Sequence, residues 1–387
     1  QPQTCVTGYN NLNFDDECIR QALYRNLFEP YAREWQGGNS RWDVINLMRM
    51  AHALRPEGFS WPKKADGTTS FKLEHLAAAN EINHDHAHDA LSDVYATIGV
   101  TKKLRQVQPK LCEFFFKLRL KPFVLDQLYP LKKQMLIHIA TFYPASRAHI
   151  GVLLPVAAHP VNRNSIICVD LLGEPEALLG LTSEQLKQRL FAVKDEHDHS
   201  IRPALQTLQI NRCPAIAPIA TLPAAKADSL GIDLALCAER QKILQNSGAL
   251  VETITEVYAS PAETDPMDPE FMLYGGEFFS AQDVGRMTQA RNIRSDCSEM
   301  SGSFDDARLD ELLFRFKARN FCSELNDEEK LRWSQFKQDR WLTQNRIGDY
   351  QKRTEQSFAD SEQDPVIASL IRRLQWQAEQ SDIVLPQ

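Results

Sequence analysis

Hydrophobic and polar positions in the first part of the chain predict an alternation of strand and helix. A short apolar run predicts a strand at residues 4–9, and apolar residues recur at helical spacing in later segments. The helices are predicted at residues 15–24, 41–54, 71–79 and 89–107. The first of them begins with acidic residues, which stabilise the positive end of a helix dipole. This rhythm predicts an α/β domain over residues 1–108.

The pattern changes after Pro109, where strand-like runs follow a linking helix at residues 111–120. Turn signals such as the sequence HPVNRN separate these runs. The strands are predicted at residues 135–142, 149–156, 165–170 and 207–210, and helices at 183–192 and 224–249. We therefore predict a small β-rich domain over residues 109–262.

The remaining residues, 263–387, are predicted to form a helical domain, and PAETDPMDPE at residues 261–270 is the candidate linker. The helices are predicted at residues 308–320, 327–345 and 365–380. Arg315, Lys317 and Arg319 alternate along the first of these, so a solvated face is expected for some of them. The length of 387 residues exceeds what one hydrophobic core usually covers, which agrees with two or three domains.

Composition and charge exclude several classes of protein. The hydrophobic fraction of 43% and charged fraction of 25% are those of an ordinary soluble protein. No apolar run approaches the roughly 20 residues of a membrane span. The eight cysteines are far apart and form no CxxC, which argues against a zinc ribbon and indicates free thiols of a reducing compartment. The net charge of −7 argues against general affinity for polyanions but allows a local basic groove.

The segment HDHAHDALSDVYAT, residues 84–97, concentrates histidine and aspartate. Alternate spacing of His84, His86 and His88 suits a zinc site on a strand, whereas this segment enters a helix. In a helix, Asp93 lies about one turn in, and His88 at the entry can lean towards its carboxylate. Such a pair suits a general base beside a metal-bound carboxylate. In isolation the same pair is more often a helix cap and a solvated residue.

A second segment, residues 19–43, interleaves basic and aromatic side chains with apolar ones. These side chains are Arg20, Tyr24, Arg25, Tyr31, Arg33, Trp35 and Arg41. Single-stranded nucleic acids bind to cationic grooves and aromatic platforms, where each stacked base contributes about 1–3 kcal/mol. The alternative is that the aromatic residues belong to the core.

Motifs along nearly the whole chain resemble the bacterial exonuclease I family. They are GYNNLNFDDE, NSRWDVINLMRM, ALRPEGFSWP, SFKLEHLAAANEI, HAHDALSDVYATI, AAHPVNRN and LLFRFKARNF. Members of this family are three-domain 3′→5′ exonucleases of the DEDDh class, specific for single-stranded DNA. The resemblance implies an α/β, RNase H-like exonuclease domain, an SH3-like β-rich domain and a helical C-terminal domain.

The resemblance also implies a metal-dependent active site. In this class four carboxylates hold two Mg²⁺ ions, for which Mn²⁺ is expected to substitute, and a histidine activates the attacking water. By position, Asp15 and Asp93 are two of the carboxylates and His88 is the base. Mg²⁺ prefers oxygen ligands, and two ions about 4 Å apart stabilise both the attacking and the leaving oxygen.

One departure from the family concerns the other two carboxylates, which come from an Asp-x-Glu on the first strand. No Asp-x-Glu precedes Asp15, and the start QPQTCVTGYNN has neither Met nor the plan of a signal peptide. We therefore expect the chain to begin inside a domain that lacks its first strands. We also expect these 387 residues alone to be inactive, unless Asp16, Glu17 or Asp43 replaces the pair.

Further residues are assigned to the substrate by the resemblance. The expected single-strand contacts are Arg20, Tyr31, Trp35, Arg49 and Asn164. Arg163 and Asn164 could contact phosphates, and a turn between strands explains both of them equally well. Lys72 is expected near the terminal nucleotide, where the family usually has Arg, so the charge is kept and the bidentate fork is lost.

The resemblance implies a protein partner as well, the acidic C-terminal tail of the single-stranded DNA-binding protein. Arg55 matches one basic position of that partner site, whereas other expected polar or basic positions carry Phe114, Pro218 and Pro223. The implied protein is a cytoplasmic, nucleoid-associated monomer in DNA repair and recombination, with a positively charged ring that explains processivity.

Two other functions stay open. A non-catalytic protein that binds single-stranded nucleic acid would keep the fold without the Asp-x-Glu motif. A ribonuclease of the same superfamily is a weaker alternative, because the short RNA-degrading relatives lack the two additional domains.

Overall fold

The computed structural model describes residues 2–83, 90–191, 204–259, 267–293 and 300–342, with the single residues 352 and 369. The chain divides into two compact units. The first unit comprises residues 1–19 and 31–263, and the second comprises residues 20–30 and 264–387.

The first unit begins with two parallel strands and the helices that follow them. The strands are β1 (Cys5–Gly8) and β2 (Ser40–Asp43), paired from Cys5 with Ser40 to Gly8 with Asp43. The helices are α1 (Asp15–Arg25), α2 (Ala32–Trp35), α3 (Val44–Leu54), α4 (Leu73–Ala79) and α5 (Ala90–Val107). Parallel strands require a crossover connection. Here α1 and α2 lie in that connection, and α1 enters the second unit at residue 20.

The prediction of one helix over residues 41–54 is wrong at its start, because residues 41–43 belong to β2. All four residues of β2 are buried, so the strand carries no alternation of polar and apolar residues for sequence analysis to detect. The helix itself begins at Val44, where the side chain of the N-cap Asp43 accepts from the Ile45 amide.

A five-stranded antiparallel sheet forms the β-rich part of the first unit, in the order β6-β5-β4-β3-β7. Its strands are β3 (Leu136–Ile139), β4 (Ile150–Ala158), β5 (Ser165–Asp170), β6 (Leu205–Gln209) and β7 (Ile216–Pro218). Five more helices accompany the sheet after the linking helix α6 (Pro109–Lys117). They are α7 (Lys121–Leu128), α8 (Ser183–Phe191), α9 (Ala224–Ser229), α10 (Leu234–Asn246) and α11 (Gly248–Ala259).

The central strand β4 is buried along all but its last residue, and α11 contacts both β4 and α8. This burial explains why the strands read as continuous apolar runs in the sequence.

The described part of the second unit is helical. Its helices are α12 (Ala281–Asn292), α13 (Ala307–Asn320) and α14 (Asp327–Leu342). Helix α13 is the core element, with Leu309, Leu312 and Leu313 buried. The expected solvated face is absent at Arg315 and Lys317 of α13, which are both buried. The predicted helix at 365–380 lies outside the described residues, apart from the helical residue 369.

A buried carboxylate organises the charges of the second unit. Glu270 is 1% exposed and accepts from Arg319 at 2.5 Å and from Arg340. The guanidiniums of Arg25 and Arg315 lie at 3.5 and 3.7 Å from it. Burial opposes the charged form, but these arginines outweigh it and hold the pKa of Glu270 below its usual value.

The thiol prediction agrees with the described residues, in which Cys112, Cys168, Cys213 and Cys237 are buried and unpaired. Among the helices that the structure describes, none is both long and apolar enough to cross a membrane.

Candidate active site and nucleic-acid interface

The loop between β1 and α1 is held by one buried carboxylate. Asp43 is fully buried and accepts from the backbone amides of Asn10 at 2.8 Å, Leu12 at 3.2 Å and Ile45 at 3.1 Å. Burial raises the pKa of Asp43, and the three amide hydrogen bonds oppose that rise. Asp43 therefore fixes the GYNN loop and, through it, the start of α1.

Two adjacent aspartates at the start of α1 have opposite environments. Asp15 is exposed, whereas Asp16 is 1% exposed. The Asp16 carboxylate pairs with Arg33 and, at 2.8 Å, with Arg41, which also lies 3.1 Å from Glu34. Of the two, only Asp15 presents its carboxylate to solvent at the end of the helix.

The possible substitutes for the Asp-x-Glu pair all have protein partners. Asp16 is engaged by two arginines and Asp43 by three backbone amides. Glu17 lies 3.5 Å from the guanidinium of Arg212. Arg212 also donates to the carbonyl of Leu12 at 2.5 Å. These contacts explain the three acidic residues as parts of the scaffold.

Tyr9, which sequence analysis did not single out, lies near one predicted substrate residue and contacts the neighbour of another. The Tyr9 hydroxyl donates to the carbonyl of Phe71 at 2.5 Å, and Lys72 follows at the N-cap of α4. Burial raises the pKa of Tyr9, while the nearby charge of Arg49 lowers it. The Lys72 side chain is 67% exposed and lies 3.5 Å from Glu74. The half-buried Tyr9 thus lies near Arg49 and contacts the residue before Lys72, and its sequence signal was its place in GYNN.

The other half of the predicted active site is on α5. Asp93 is half-buried in the first turn, and its carbonyl accepts from the Thr97 hydroxyl at 2.8 Å. His84, His86 and His88 lie outside the described residues. Within the described ranges, no three His, Cys, Asp or Glu side chains are grouped to hold a metal ion. The convergence of Asp15, Asp93 and His88 on one site stays a prediction.

The predicted single-strand contacts differ in their exposure. Trp35 is 65% exposed at the end of α2, and Tyr31 is half-buried at its N-cap. Arg20, in the second unit, is 5% exposed, and its Nη1 donates to the Tyr274 hydroxyl at 3.2 Å. Tyr24 is fully buried, so this aromatic residue belongs to the core, the alternative given in the sequence analysis.

Asn164 lies in the turn between β4 and β5. Its Oδ1 accepts from Lys121 Nζ at 2.9 Å, and its carbonyl accepts from the Ile210 amide at 2.9 Å. The adjacent Arg163 is exposed, and its carbonyl also accepts from Lys121 at 3.3 Å. Lys121, which sequence analysis missed, therefore orients the Asn164 amide.

Arg55, the predicted partner residue, is half-buried after α3. Its guanidinium donates to the carbonyls of Leu54 at 2.6 Å and Thr221 at 3.2 Å. Lys226 lies close enough for the positive charge of Arg55 to disfavour its own, although burial is the larger cause of the lowered pKa of Lys226. Lys226 is a second basic residue of this region that the motif comparison did not reveal.

Comparison with known proteins decides the family. Models for an exonuclease domain, an exonuclease I SH3-like domain and an exonuclease I C-terminal domain match residues 1–101, 119–260 and 267–381. Exodeoxyribonuclease I of Escherichia coli K12 is 39% identical over 338 residues, which are 86% of this chain and 70% of the relative. The chain belongs to the exodeoxyribonuclease I family. The Haemophilus influenzae exodeoxyribonuclease I is 38% identical over 347 residues, which are 88% of this chain and 72% of that protein.

Solved exodeoxyribonuclease I structures share the fold. E. coli exonuclease I in complex with a dA16 oligonucleotide superposes with a TM-score of 0.87 at 36% identity, covering 98% of this chain and 81% of that one. Exonuclease I from Methylocaldum szegediense has a TM-score of 0.87 at 38% identity and the same coverage. A structure described as an ExoI/SSB-Ct complex has a TM-score of 0.85 at 35% identity, covering 98% and 80%. The predicted family and fold class are therefore confirmed.

Proposed function

We propose that this member of the exodeoxyribonuclease I family provides the machinery for hydrolysing single-stranded DNA from its 3′ end to 5′-mononucleotides, in DNA repair and recombination. The observation that carries the proposal is the exposed carboxylate of Asp15, which follows a loop whose Tyr9 lies near Arg49 and donates to Phe71, the residue before Lys72. Exposed carboxylates hold metal ions and cationic side chains bind phosphodiesters, so this set of residues suits a nuclease site.

The active-site roles follow from the chemistry of each side chain. Asp15 and Asp93 would supply oxygen ligands to Mg²⁺, with Mn²⁺ as a substitute, and the ion would stabilise charge on the phosphoryl oxygens. His88 would take the proton from the attacking water. Lys72, exposed at the N-cap of α4, would neutralise the phosphate of the terminal nucleotide.

Binding of the single strand would use residues that range from exposed to buried. Trp35 and Tyr31 at the two ends of α2 offer rings for base stacking. Arg49, Arg20 and the oriented amide of Asn164 would add polar contacts. The E. coli relative in complex with dA16 supports a DNA strand as the substrate of the family.

The tail of the single-stranded DNA-binding protein would bind beside Arg55. The positive charges of Arg55 and Lys226 suit an acidic peptide that ends in a carboxylate. The solved ExoI/SSB-Ct complex of a relative supports this partner. We further propose that the protein acts as a cytoplasmic, nucleoid-associated monomer.

For a polypeptide of these 387 residues alone, we propose single-strand binding without measurable hydrolysis, which is the second candidate function. Asp16, Glu17 and Asp43 are engaged by protein groups, which argues against their replacing an Asp-x-Glu pair. A site with two ligand carboxylates instead of four would hold a divalent ion weakly.

The test compares this polypeptide with a chimera in which the first-strand segment of a family member, with its Asp-x-Glu, precedes residue 1. Each is incubated with Mg²⁺ and a single strand labelled near its 3′ end. Mononucleotide release by the chimera, abolished by Asp15→Asn, is the expected result. Release by the unextended polypeptide would show that another acidic pair completes the site, and no release by a folded chimera would overturn the proposed nuclease function.

A further inference from the structure

The turn HPVNRN, residues 159–164, joins strands β4 and β5, and one histidine ring holds its backbone. The Nδ1 of His159 accepts from the backbone amides of Val161 at 3.2 Å and Asn162 at 3.0 Å. An imidazole nitrogen that accepts a hydrogen bond carries no proton of its own. The two bonds therefore require the neutral ring, with its proton on Nε2.

Further hydrogen bonds extend this order along the turn. The Asn164 amide donates to the Asn162 Oδ1 at 3.0 Å, and the Ser165 amide donates to the Asn162 carbonyl at 2.9 Å. The amide of His159 in turn donates to the Ser165 carbonyl at 3.1 Å, which closes the turn. Asn162 thus fixes the residues that follow it, while the His159 ring holds its amide.

This turn carries side chains that suit a single strand. Arg163 is exposed, and the half-buried Asn164 has its amide oriented by Lys121 at 2.9 Å. The proposed function places Asn164 on the single strand, and Arg163 is its neighbour in the turn. A turn that is already ordered loses less conformational entropy when it binds, so its order contributes to affinity.

The surroundings of the His159 ring favour its neutral form. The half-buried ring lies edge-on to Tyr258 of α11, with centroids 5.2 Å apart. Burial raises the pKa of Tyr258 and of the nearby Cys168 on β5, so both are uncharged at neutral pH. The charged side chains of the turn region are those of Lys121 and Arg163. Burial also lowers the pKa of His159 from its usual 6.5.

We propose that His159 is a positioning residue for single-strand binding: its neutral ring holds the turn that presents Arg163 and Asn164, and protonation of the ring releases that turn. A protonated Nδ1 is a donor and would face two amide donors, so the turn has to open when the ring takes up a proton. The inference rests on the proposed function, because the ligand is the same single strand.

The sign of the pH effect follows from this geometry. Above pH 6.5 the ring is neutral and the turn contributes fully to affinity. As the pH falls below 6.5 and through the lowered pKa of His159, that contribution is lost. Protonation of other histidines has the opposite effect, because added positive charge favours binding to phosphates.

The experiment measures the affinity of the full 387-residue chain for a rhodamine-labelled oligothymidylate by anisotropy, with EDTA present to prevent hydrolysis. His159→Asn and His159→Gln are the matched pair. The Asn side chain places an acceptor oxygen close to the position of Nδ1 and can bond the backbone amide two residues on, whereas the longer Gln side chain cannot place it there. His159→Gln is expected to weaken binding about 3- to 30-fold at neutral pH, as the loss of one or two polar contacts does. His159→Asn should retain most of the affinity.

Two further readouts separate this role from a merely structural one. Between about pH 7.5 and about pH 5.5, the affinity of the unaltered chain should fall relative to that of His159→Asn, whose side chain does not titrate. In a chain that carries both Arg163→Ala and Asn164→Ala, His159→Gln should have no further effect, because residues that act through one turn are not additive.

Equal affinities of His159→Asn and His159→Gln would overturn the inference, and so would the same pH profile for His159→Asn and the unaltered chain. A further loss from His159→Gln in the chain without the Arg163 and Asn164 side chains would show that the ring acts elsewhere, and would also overturn it. These three outcomes leave the proposed function intact. Absence of any single-strand binding by the unaltered, folded chain would overturn both.

Discussion

The adjacent aspartates at the start of α1 allow a sharp comparison of two single substitutions. Asp16→Asn removes the charge that pairs with Arg33 and Arg41, while Asp15→Asn removes an exposed charge one position earlier. Both substitutions make the same chemical change in the same helical turn. We expect Asp16→Asn to destabilise the first unit and Asp15→Asn to leave its stability nearly unchanged.

The loss of stability in Asp16→Asn depends on the contacts that Arg33 and Arg41 retain. The Arg41 side chain is 5% exposed, so Asp16→Asn leaves its positive charge buried. The guanidinium still pairs with Glu34 at 3.1 Å and donates to the carbonyl of Asn211 at 3.1 Å. The Arg33 side chain is 25% exposed, so solvent partly replaces its partner. Removing one partner of a buried ion pair costs about 3–5 kcal/mol, and the remaining contacts place this substitution near 3 kcal/mol. For Asp15→Asn we expect less than about 0.5 kcal/mol, as for ordinary surface changes.

Hydrogen exchange measured by mass spectrometry is the suitable assay, because a chain with two units need not unfold in one step. Peptides from β1, β2 and α3 should lose protection in Asp16→Asn, and peptides from α13 should not. Equal protection of β2 in the two variants would refute the view that Asp16 joins α1 to β2. Asp15→Asn should instead remove hydrolysis by the chimera described above.

Three further outcomes are expected. His88→Ala should lower hydrolysis by the chimera about 10²–10⁴-fold with little change in strand binding, and near-normal activity would make His88 structural. Glu270→Gln should destabilise the second unit by about 3 kcal/mol, because several arginine side chains lose their charged partner. Unchanged exchange protection of α13 would contradict this. Burial lowers the pKa of His138 from 6.5 to about 4. As the pH falls, the unfolded chain therefore takes up a proton on His138 at a higher pH than the folded chain does. Stability should therefore fall as pH drops from 6.5 to about 4, and thermal unfolding of His138→Gln should show a flatter dependence.

Much of the fold was predictable from residue spacing, because burial of one face imposes a period on the chain. The predicted strand at 165–170 coincides with β5, and the predicted helices at 15–24 and 308–320 match α1 and α13 within one residue at each end. Strand β2 was mistaken for helix, since its residues are buried on both faces and carry no period. Its pairing partner, β1, lies some 35 residues earlier in the chain, beyond the reach of local pattern.

The sequence by itself determined the family, because long ordered motifs such as GYNNLNFDDE and HAHDALSDVYATI survive along the chain. It did not determine which side chains are available for chemistry. Asp15 and Asp16 are the same residue type in the same motif, and only the arrival of Arg33 and Arg41 from a later segment buries one of them. In the same way Arg315 and Lys317 look like solvent-facing charges, yet carboxylates from residues 268 and 329 pair with them inside the second unit. Residue types determine the charge of each side chain, but its exposure depends on contacts between distant segments. Exposure decides whether a charged side chain is available to a ligand or stabilises the fold.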